Sequence, residues 1–152
     1  MSASKCFIDA NLFIYALTES ALPADQPKRE KTLALLANLL SAHTLITSIQ
    51  VVNECHFVLS RKFGLPEAIV AQAIRDGILA VATVVPLEMT DYFTACRLRE
   101  RYALSYWDSL VCASALRFGA ERLYSEDLQD GFRLDERLWI VNPFSMPAGS
   151  PI

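Results

Sequence analysis

The sequence predicts a layered α/β fold with a mostly parallel central sheet, and three observations lead to this prediction. Short apolar segments rich in β-branched residues alternate with longer segments whose apolar residues recur at helical spacing. The first strand candidate stops at an acidic residue, Asp9, which is typical of a buried strand whose end opens into a site. The chain has 152 residues, 53% of them hydrophobic and 20% charged, which suits one globular domain.

The strand predictions come from short apolar runs. Lys5–Ile8 ends at an acidic residue, and residues 81–87 are rich in β-branched side chains. Similar short runs follow the first long helical segment and occur twice near the carboxyl end. The predicted strands are therefore residues 5–8, 44–47, 81–87, 122–124 and 139–141.

The helix predictions combine apolar spacing with residues that favour helix ends. Ser48, Thr90 and Ser105 are suited to cap helix N-termini, while Gly64 and Gly119 end the helices before them. Helices are predicted over residues 11–17, 28–41, 48–62, 66–79, 90–102 and 105–118.

The remaining segments predict loops and a cytoplasmic environment. Residues 20–27 contain two prolines and indicate a loop, and residues 145–152 indicate a flexible C-terminal tail.

The four cysteines lie in hydrophobic segments without a C-x-x-C pair, which is typical of free buried thiols in a reducing compartment. The apolar run at 78–87 is far shorter than the roughly 20 residues of a membrane span. We therefore expect a cytoplasmic protein with no membrane partner.

Several kinds of chemistry are disfavoured by what the sequence lacks. It contains five glycines but no G-x-G-x-x-G, G-x-x-x-x-G-K-[ST] or G-x-S-x-G motif, which argues against nucleotide-binding loops and a nucleophile elbow. The two histidines, His43 and His56, lack metal-binding spacing and are interpreted as structural. A formal charge of −3 argues against a uniformly basic surface for nucleic acids. Carboxylates remain as the chemical candidates.

Four acids lie in hydrophobic surroundings, and each also has a purely structural interpretation. Asp9 follows the first strand, where it could cap a helix, and Asp127 follows a later strand, where it could form a turn. Glu54 lies beside the apolar stripe of a predicted helix, or on its solvated face. Asp108 lies three residues after Ser105, the spacing of a capping box.

These acids are nevertheless predicted to converge. Asp9 and Asp127 follow strands, while Glu54 and Asp108 lie early in helices, and in a parallel sheet such positions share one edge. Two unit charges about 4 Å apart repel by about 4 kcal/mol at an effective dielectric of about 20, so convergence calls for a cation. Oxygen ligands suit Mg²⁺ or Mn²⁺, which engage substrate phosphates. The sequence therefore predicts metal-assisted phosphoryl transfer.

The same segments resemble a known family. Residues 9–15 (DANLFIY), 48–54 (SIQVVNE), 106–111 (YWDSLV) and 125–127 (SED) resemble, in order, the four motifs of PIN-domain ribonucleases. Asn142-Pro143-Phe144 is similar to the end of the bacterial VapC-type toxins of type II toxin–antitoxin systems. The resemblance implies a PIN-like nuclease domain over residues 1–144, built as a three-layer α/β/α sandwich.

The resemblance also implies an activity, residue roles and partners. It implies an endoribonuclease that hydrolyses RNA phosphodiester bonds with Mg²⁺ (or Mn²⁺). The matching acids, which would bind the metal and act in catalysis, are Asp9, Glu54, Asp108 and Asp127. The matching supporting polar residues are Asn11, Ser48 and Ser125. The expected partners are RNA, a small antitoxin protein and, since such toxins are usually homodimers, a second copy of the chain.

A non-catalytic PIN-like module that binds protein or RNA is the alternative interpretation. The intact acids argue against it, because a scaffold has no need to bring four carboxylates together. Basic residues within 28–31, 61–62 and 97–101 are candidates for RNA contacts, although each cluster is also typical of a solvated helix face.

Overall fold

The computed structural model describes residues 3–19 and 23–145. The predicted tail at 145–152 lies, except for Ser145, outside the described residues, and so do residues 20–22 of the predicted loop. The described part of that loop is shorter than predicted, because a 3₁₀ turn at Pro23–Asp25 leads directly into a helix that begins at Gln26. Pro27 lies in the first turn of this helix, where the missing N–H of proline costs no hydrogen bond.

The described residues form one six-stranded sheet. Its strands are β1 (Lys5–Ile8), β2 (Thr44–Ser48), β3 (Thr83–Val85), β4 (Ala120–Tyr124), β5 (Arg133–Leu134) and β6 (Leu138–Val141). The strand order is β3-β2-β1-β4-β6-β5, and only the β5–β6 pair is antiparallel. The prediction of a mostly parallel central sheet is confirmed.

The helices closely follow the predicted ranges. They are α1 (Ala10–Leu17), α2 (Gln26–Ala42), α3 (Ile49–Arg61), α4 (Glu67–Ile74), α5 (Met89–Arg101) and α6 (Tyr106–Arg117). Ser48 and Ser105 cap α3 and α6 as predicted, since their hydroxyls accept hydrogen bonds from the N–H groups of Val51 and Asp108. Helix α6 ends before Phe118, and Gly119 follows with a φ of +75°. Such a left-handed conformation just after a helix favours glycine.

The order of the strands determines where the helices lie. The chain moves outward from β1 through β2 to β3, and then returns past β1 to form β4. Because crossovers between parallel strands are right-handed, this reversal places α1–α4 on one face of the sheet and α5 and α6 on the other. The strand order thus switches direction between β1 and β4, and the carboxyl ends of these strands open into the crevice where α/β folds place their sites.

Two predictions about the segment before α5 are wrong in detail. The strand predicted at 81–87 is only Thr83–Val85, because the N–H groups of Val81 and Ala82 hydrogen-bond to the carbonyl of Ile78 in a turn. The N-cap of α5 is Glu88 rather than Thr90, and its N–H donates to Asp91 Oδ2 at 2.9 Å.

Two other elements were not predicted as they are. The helix predicted over 66–79 is α4 followed by a π-helical turn at Arg75–Leu79. In this turn Gly77 contacts α1 so closely that a Cβ there would lie 2.1 Å from Leu17 Cδ2. The two-residue strand β5 was missed, because so short a segment has no apolar periodicity to detect.

The cysteine and membrane expectations can be compared with the described residues. All four cysteines are free, as predicted, and Cys6, Cys55 and Cys112 are buried, but Cys96 is only half-buried. Among the helices that the structure describes, none is both long enough and apolar enough to cross a bilayer.

Candidate active site

The floor of the candidate site is Asp9, which joins β1 to α1. The residue is only 5% exposed, and its N–H donates to the carbonyl of Tyr124 at 3.0 Å, which ties it to β4. Asp9 Oδ1 accepts from the N–H of Ala10 at 2.8 Å, so the predicted helix-capping role is present. Its other oxygen, Oδ2, accepts from the Ser125 hydroxyl at 2.7 Å. The cap therefore fixes a carboxylate that also faces the site.

Ser125 and Asn11 connect Asp9 to Asp127. The buried Ser125 hydroxyl donates to Asp9 and accepts from the N–H of Asp127 at 3.2 Å. Asn11 Nδ2 donates to Asp127 Oδ2 at 3.0 Å, and its Oδ1 accepts from the N–H of Glu126 at 3.4 Å. These contacts hold together the ends of the neighbouring strands β1 and β4. We call Asp9, Asn11, Ser125 and Asp127 the strand side of the site.

Glu54 and Asp108 come from helices on opposite faces of the sheet. Ser48 is buried and caps α3, with Val51 N–H 3.4 Å from its hydroxyl, so it orients the helix that carries Glu54. Asp108 lies in the first turn of α6, where its N–H donates to Ser105 Oγ at 3.1 Å. The Ser105 half of the predicted S-x-x-D capping box is therefore present, and the charge of Asp108 still acts on Asp9. We call Glu54 and Asp108 the helix side.

The four carboxylates share one electrostatic environment. Burial raises the pKa of Asp9 to about 6, against the hydrogen bonds from Ser125 and Ala10, and the charges of Asp127 and Asp108 raise it further. Burial also raises the pKa of Glu54, with added repulsion from the other three acids. Burial raises the pKa of Asp108, a side-chain hydrogen bond with Ser105 opposes this effect, and the negative charge of Asp127 adds to it. Repulsion between the carboxylates was the effect expected from the sequence. In the structure, loss of hydration on burial contributes more to the raised pKa values than repulsion does.

The donor set fits a hard, hydrated cation. It offers only oxygen ligands, and neighbouring carboxylates add to the raised pKa values of Asp9, Glu54 and Asp108, so a bound cation would relieve their repulsion. Within residues 3–19 and 23–145, however, no group of three or more His, Cys, Asp or Glu side chains is arranged to hold a metal ion. The four acids therefore do not form a closed ligand set, and they suit a metal ion only if it keeps several waters and binds through one or two carboxylates, as Mg²⁺ usually does.

A contact that sequence reasoning missed positions the segment carrying Asp127. Glu126 pairs with Lys28 of α2, accepts a hydrogen bond from the Tyr15 hydroxyl at 2.7 Å, and has its carbonyl bound by Asn142 Nδ2. The Tyr15 ring packs edge-to-face against Phe144, with ring centroids 5.4 Å apart. The residues come from four distant stretches of the chain, so no local spacing could have revealed them. Lys28, which belongs to the basic cluster at 28–31 considered for RNA contacts, is therefore already paired with Glu126 within the chain.

The two histidines have structural partners, as predicted. His43 Nδ1 hydrogen-bonds with the Ser4 hydroxyl, next to β1. His56 Nε2 lies 3.0 Å from a carboxylate oxygen of Glu67, which links α3 to α4. Neither contact involves the four acids of the site.

Fold and site together define a three-layer α/β protein with an acidic site at the point where its strand order reverses. The PIN domain family model matches residues 6–133. The chain belongs to the PIN domain family, and the three-layer PIN-like fold expected from the motifs is confirmed.

Solved structures with the same fold include three from toxin–antitoxin studies. VapBC2 from Rickettsia felis, bound to a DNA fragment from its promoter, gives a TM-score of 0.66 at 16% identity, covering 90% of this chain and 96% of the other. A toxin–antitoxin complex from Klebsiella pneumoniae gives 0.65 at 17% identity, covering 91% and 97%. VapC20 from Mycobacterium tuberculosis, a sarcin–ricin loop cleaving toxin, gives 0.61 at 16% identity, covering 78% and 86%. No curated protein matches the sequence.

Proposed function

We propose that this PIN domain is a Mg²⁺- or Mn²⁺-dependent endoribonuclease, the VapC-type toxin of a toxin–antitoxin pair. The observation that carries the proposal is the meeting of four carboxylates from four separate elements at the β1–β4 switch point, with raised pKa values in three of them. Only Asp9 is buried, but all four acids lie near one another, and such clusters of acids with raised pKa values are typical of functional sites. Because the chain belongs to the PIN domain family, nuclease chemistry is the function that these acids fit best.

The residue roles follow from the contacts. The candidates to hold the ion are Asp9, Glu54, Asp108 and Asp127, of which an ion that keeps its waters would contact one or two directly and the others through those waters. When bound, the ion supplies polarisation of the substrate phosphate and a more acidic water. Asn11 and Ser125 orient Asp127 and Asp9 through their hydrogen bonds, and Ser48 orients Glu54 by capping α3.

Glu54 has the properties of a proton acceptor in this reaction. It is solvent-accessible, so water can reach it, and its raised pKa brings it closer to the pH at which it works. Asp9 is buried and fully engaged by Ser125 and Ala10, so it is suited to hold position rather than to exchange protons with solvent.

Cleavage of RNA by the purified chain tests the activity. With Mg²⁺ or Mn²⁺ we expect internal cuts in single-stranded RNA, and Asp108→Asn should lower the rate at least about 100-fold, more than the loss of a residue that only orients a ligand. The control is Asp76→Asn, which makes the same charge change at an exposed carboxylate bonded to Gln72. Equal cleavage by wild type and Asp108→Asn would contradict the proposal.

Metal binding can be measured without activity. A ligand that binds only the folded state raises the melting temperature, so Mg²⁺ or Mn²⁺ near pH 7 should stabilise wild type more than Asp9→Asn. An equal rise in both proteins would contradict a metal site at Asp9. If the chain neither binds metal nor cuts RNA, the non-catalytic interaction module is the better description.

The toxin role is supported by fold similarity to proteins described with antitoxins, namely VapBC2 and the Klebsiella complex. We expect expression of the chain in bacteria to arrest growth, and Asp108→Asn to abolish the arrest. Co-expression of a small antitoxin encoded by an adjacent reading frame should restore growth. An active nuclease without any effect on growth would point to RNA processing instead.

We also propose that the chain forms a homodimer in the cytoplasm. Met89, Phe93 and Trp107 are exposed large apolar side chains near the starts of α5 and α6, and burying them in a second copy would remove them from water. Sedimentation should therefore give twice the 16.9 kDa chain mass, and Phe93→Glu should give the monomer. The control is Phe57→Glu on α3, which changes an equally exposed aromatic residue elsewhere.

A further inference from the structure

A cavity of about 380 Å³ lies beside the four acids and has no role in the function proposed above. Asp108 and Asp127 are among its lining residues, so it is continuous with the acidic site. The connection between α5 and α6 forms a second part of its wall, and Phe132 and Leu134 of the β4–β6 region form a third. Its size falls within the range of pockets that bind small organic groups.

The aromatic part of the wall is preformed. The Tyr102 ring packs edge-to-face against Phe132, with ring centroids 5.2 Å apart and planes at 85°. The Tyr102 hydroxyl accepts from the N–H of Asp135 at 3.0 Å and donates to Asp135 Oδ1 at 3.1 Å. Asp135 and Glu136 have φ values of 51° and 56°, which are unusual for residues other than glycine. Such a turn persists when its surroundings hold it, and Tyr102 does so here.

Arg101 supplies the cavity with a cation that is only loosely engaged. Its guanidinium lies 5.4 Å from the centre of the Tyr102 ring, and its side chain is 59% exposed. Asp135 lies 2.7 Å from Arg97 but 3.5 Å from Arg101, so its charge is already paired by the closer arginine. Arg101 is the one Lys or Arg among the described residues that line this cavity. It can therefore turn to a ligand without leaving Asp135 unpaired.

The combination suits a flat, partly polar ring. Tyr102, Phe132 and the Arg101 guanidinium provide surfaces on which such a ring can stack, and Gln129 offers both a donor and an acceptor. Unpaired RNA bases are recognised in this way, by stacking on aromatic rings or guanidinium planes and by hydrogen bonds to their edges. Asp108 and Asp127 then lie where the phosphate next to that base would meet the acidic site.

We propose that this cavity binds one unpaired nucleobase next to the RNA bond that is cut, and so selects the cleavage position; the inference rests on the proposed ribonuclease function. Arg101 is a specificity-determining residue in this arrangement, because it touches the base rather than the reacting phosphate. The ring wall of Tyr102 and Phe132 positions the base, and the strained turn at Asp135 keeps that wall in place.

Binding of free nucleosides tests the cavity without metal or catalysis. Adenosine, guanosine, cytidine and uridine are neutral, so the acids do not repel them, and ribose is the control for the sugar. At least one nucleoside should bind at least about tenfold more tightly than ribose, as expected for one stacked base. Amide chemical-shift changes should centre on residues 101–104 and 127–134. Equal, weak binding of all nucleosides and ribose would overturn the proposal.

Matched variants separate the cavity from general charge effects. Arg101→Gln should weaken nucleoside binding about tenfold, and Ala103→Trp, at an exposed lining residue, should abolish it by filling the cavity. Arg99→Gln removes the same charge from the same last turn of α5 but lies outside the cavity, so it should bind as wild type does. If Arg99→Gln and Arg101→Gln weaken binding equally, the arginine acts through bulk charge and the proposal fails.

Cleavage of a randomised RNA library distinguishes this inference from the proposed function. Sequencing of the cut ends should show a preferred base at one position beside the cut, and Arg101→Gln and Ala103→Trp should flatten that preference. Cuts without any base preference would overturn the cavity assignment and leave the ribonuclease proposal intact. Nucleoside binding without any RNA cleavage would overturn the ribonuclease proposal. If the cavity does not bind nucleosides but is covered by a co-expressed antitoxin, it is a protein-docking site, which would contradict the inference.

Discussion

The strand side and the helix side of the acidic site are built in different ways. On the strand side, Asp9 and Asp127 are connected through one hydroxyl, that of Ser125, and Asn11 binds Asp127 as well. On the helix side, Glu54 and Asp108 influence the other acids through charge, and their helices are fixed by separate caps. One half is linked by hydrogen bonds across two strands, whereas the other lies at helix starts, where the Asp108 side chain is hydrogen-bonded only within its own first turn, to Ser105.

Because of this difference, the two sides are suited to different tasks in the site. The strand-side carboxylates are hydrogen-bonded across two strands and so are held by two elements, whereas a carboxylate at the start of a helix, bonded at most within its own turn, can adjust its rotamer to a ligand more easily. The strand side is therefore suited to set the geometry of the site, and the helix side to respond to ion and substrate. If so, substitutions on the strand side should affect folding stability strongly and those on the helix side weakly.

The largest expected effect is the pH dependence caused by Asp9. Its pKa is about 6 in the folded protein, against an ordinary value of 3.8 for an aspartate in an unfolded chain, so the folded state binds more protons between these values. Stability of the metal-free protein should therefore fall by about 3 kcal/mol as the pH rises through this window. Asp9→Asn keeps a capping side chain but cannot ionise, so its stability should lack this fall.

Urea unfolding at several pH values checks this prediction. The difference in unfolding free energy between Asp9→Asn and wild type should grow from below about pH 4 to above about pH 6, while titrating groups that do not interact with Asp9 cancel in the comparison. A difference that stays constant with pH would mean that Asp9 titrates normally, and the contrast between the two sides would lose its main support.

The next largest effect is expected for Ser125→Ala. It removes a hydrogen bond to a charged carboxylate that is buried, which costs about 2 kcal/mol near neutral pH, and it leaves Asp127 N–H without its partner. Cleavage should also slow about tenfold, because the Asp9 carboxylate and the backbone of Asp127 both lose a contact that positions them. Denaturation curves and RNA cleavage rates measure the two effects. No loss of stability would show that the strand side is not held by this hydroxyl.

Ser105→Ala is the matched change on the helix side. It removes the hydroxyl that accepts from Asp108 N–H, which is a helix cap worth about 1 kcal/mol. The stability loss should be smaller than for Ser125→Ala, because the cap lies at a partly exposed helix end. A larger loss in Ser105→Ala than in Ser125→Ala would reverse the comparison.

The smallest effect is expected for Glu54→Gln. Glu54 is solvent-accessible and its charge is disfavoured where it lies, so the unfolding free energy should change by less than about 0.5 kcal/mol or rise slightly. Cleavage should nevertheless fall about tenfold or more if Glu54 accepts a proton. A variant that loses stability but keeps its cleavage rate would place Glu54 among the structural residues.

Much of this site could be predicted because its residues follow local rules. Asp9 and Asp108 stand where strand ends and helix starts are readable from the sequence, and the parallel sheet brings such positions to one edge. Their capping roles and their place in the site turned out to be compatible, although the sequence presented them as alternatives.

What the sequence could not predict depends on contacts between distant segments. The Lys28–Glu126 pair and the Tyr102–Asp135 contact join residues far apart in the chain, and nothing in their local spacing marks them. The N-cap at Glu88 was misassigned to Thr90 because Asp91, which binds the Glu88 N–H, is itself held by Arg117 from α6. Burial as the main cause of the raised pKa values likewise required the packed structure.

The close contact between Gly77 and Leu17 has a consequence for which mutations inactivate the protein. Helix α1 begins after Asp9 and ends at Leu17, so a side chain at position 77 would have to displace the Leu17 side chain at the far end of the helix that Asp9 caps. Alanine needs only a shift of the flexible Leu17 side chain, whereas a bulky residue would push against α1 itself. Under the proposed toxin function, a genetic selection for surviving cells should therefore return bulky substitutions of this glycine, with every acid of the site still present in the gene.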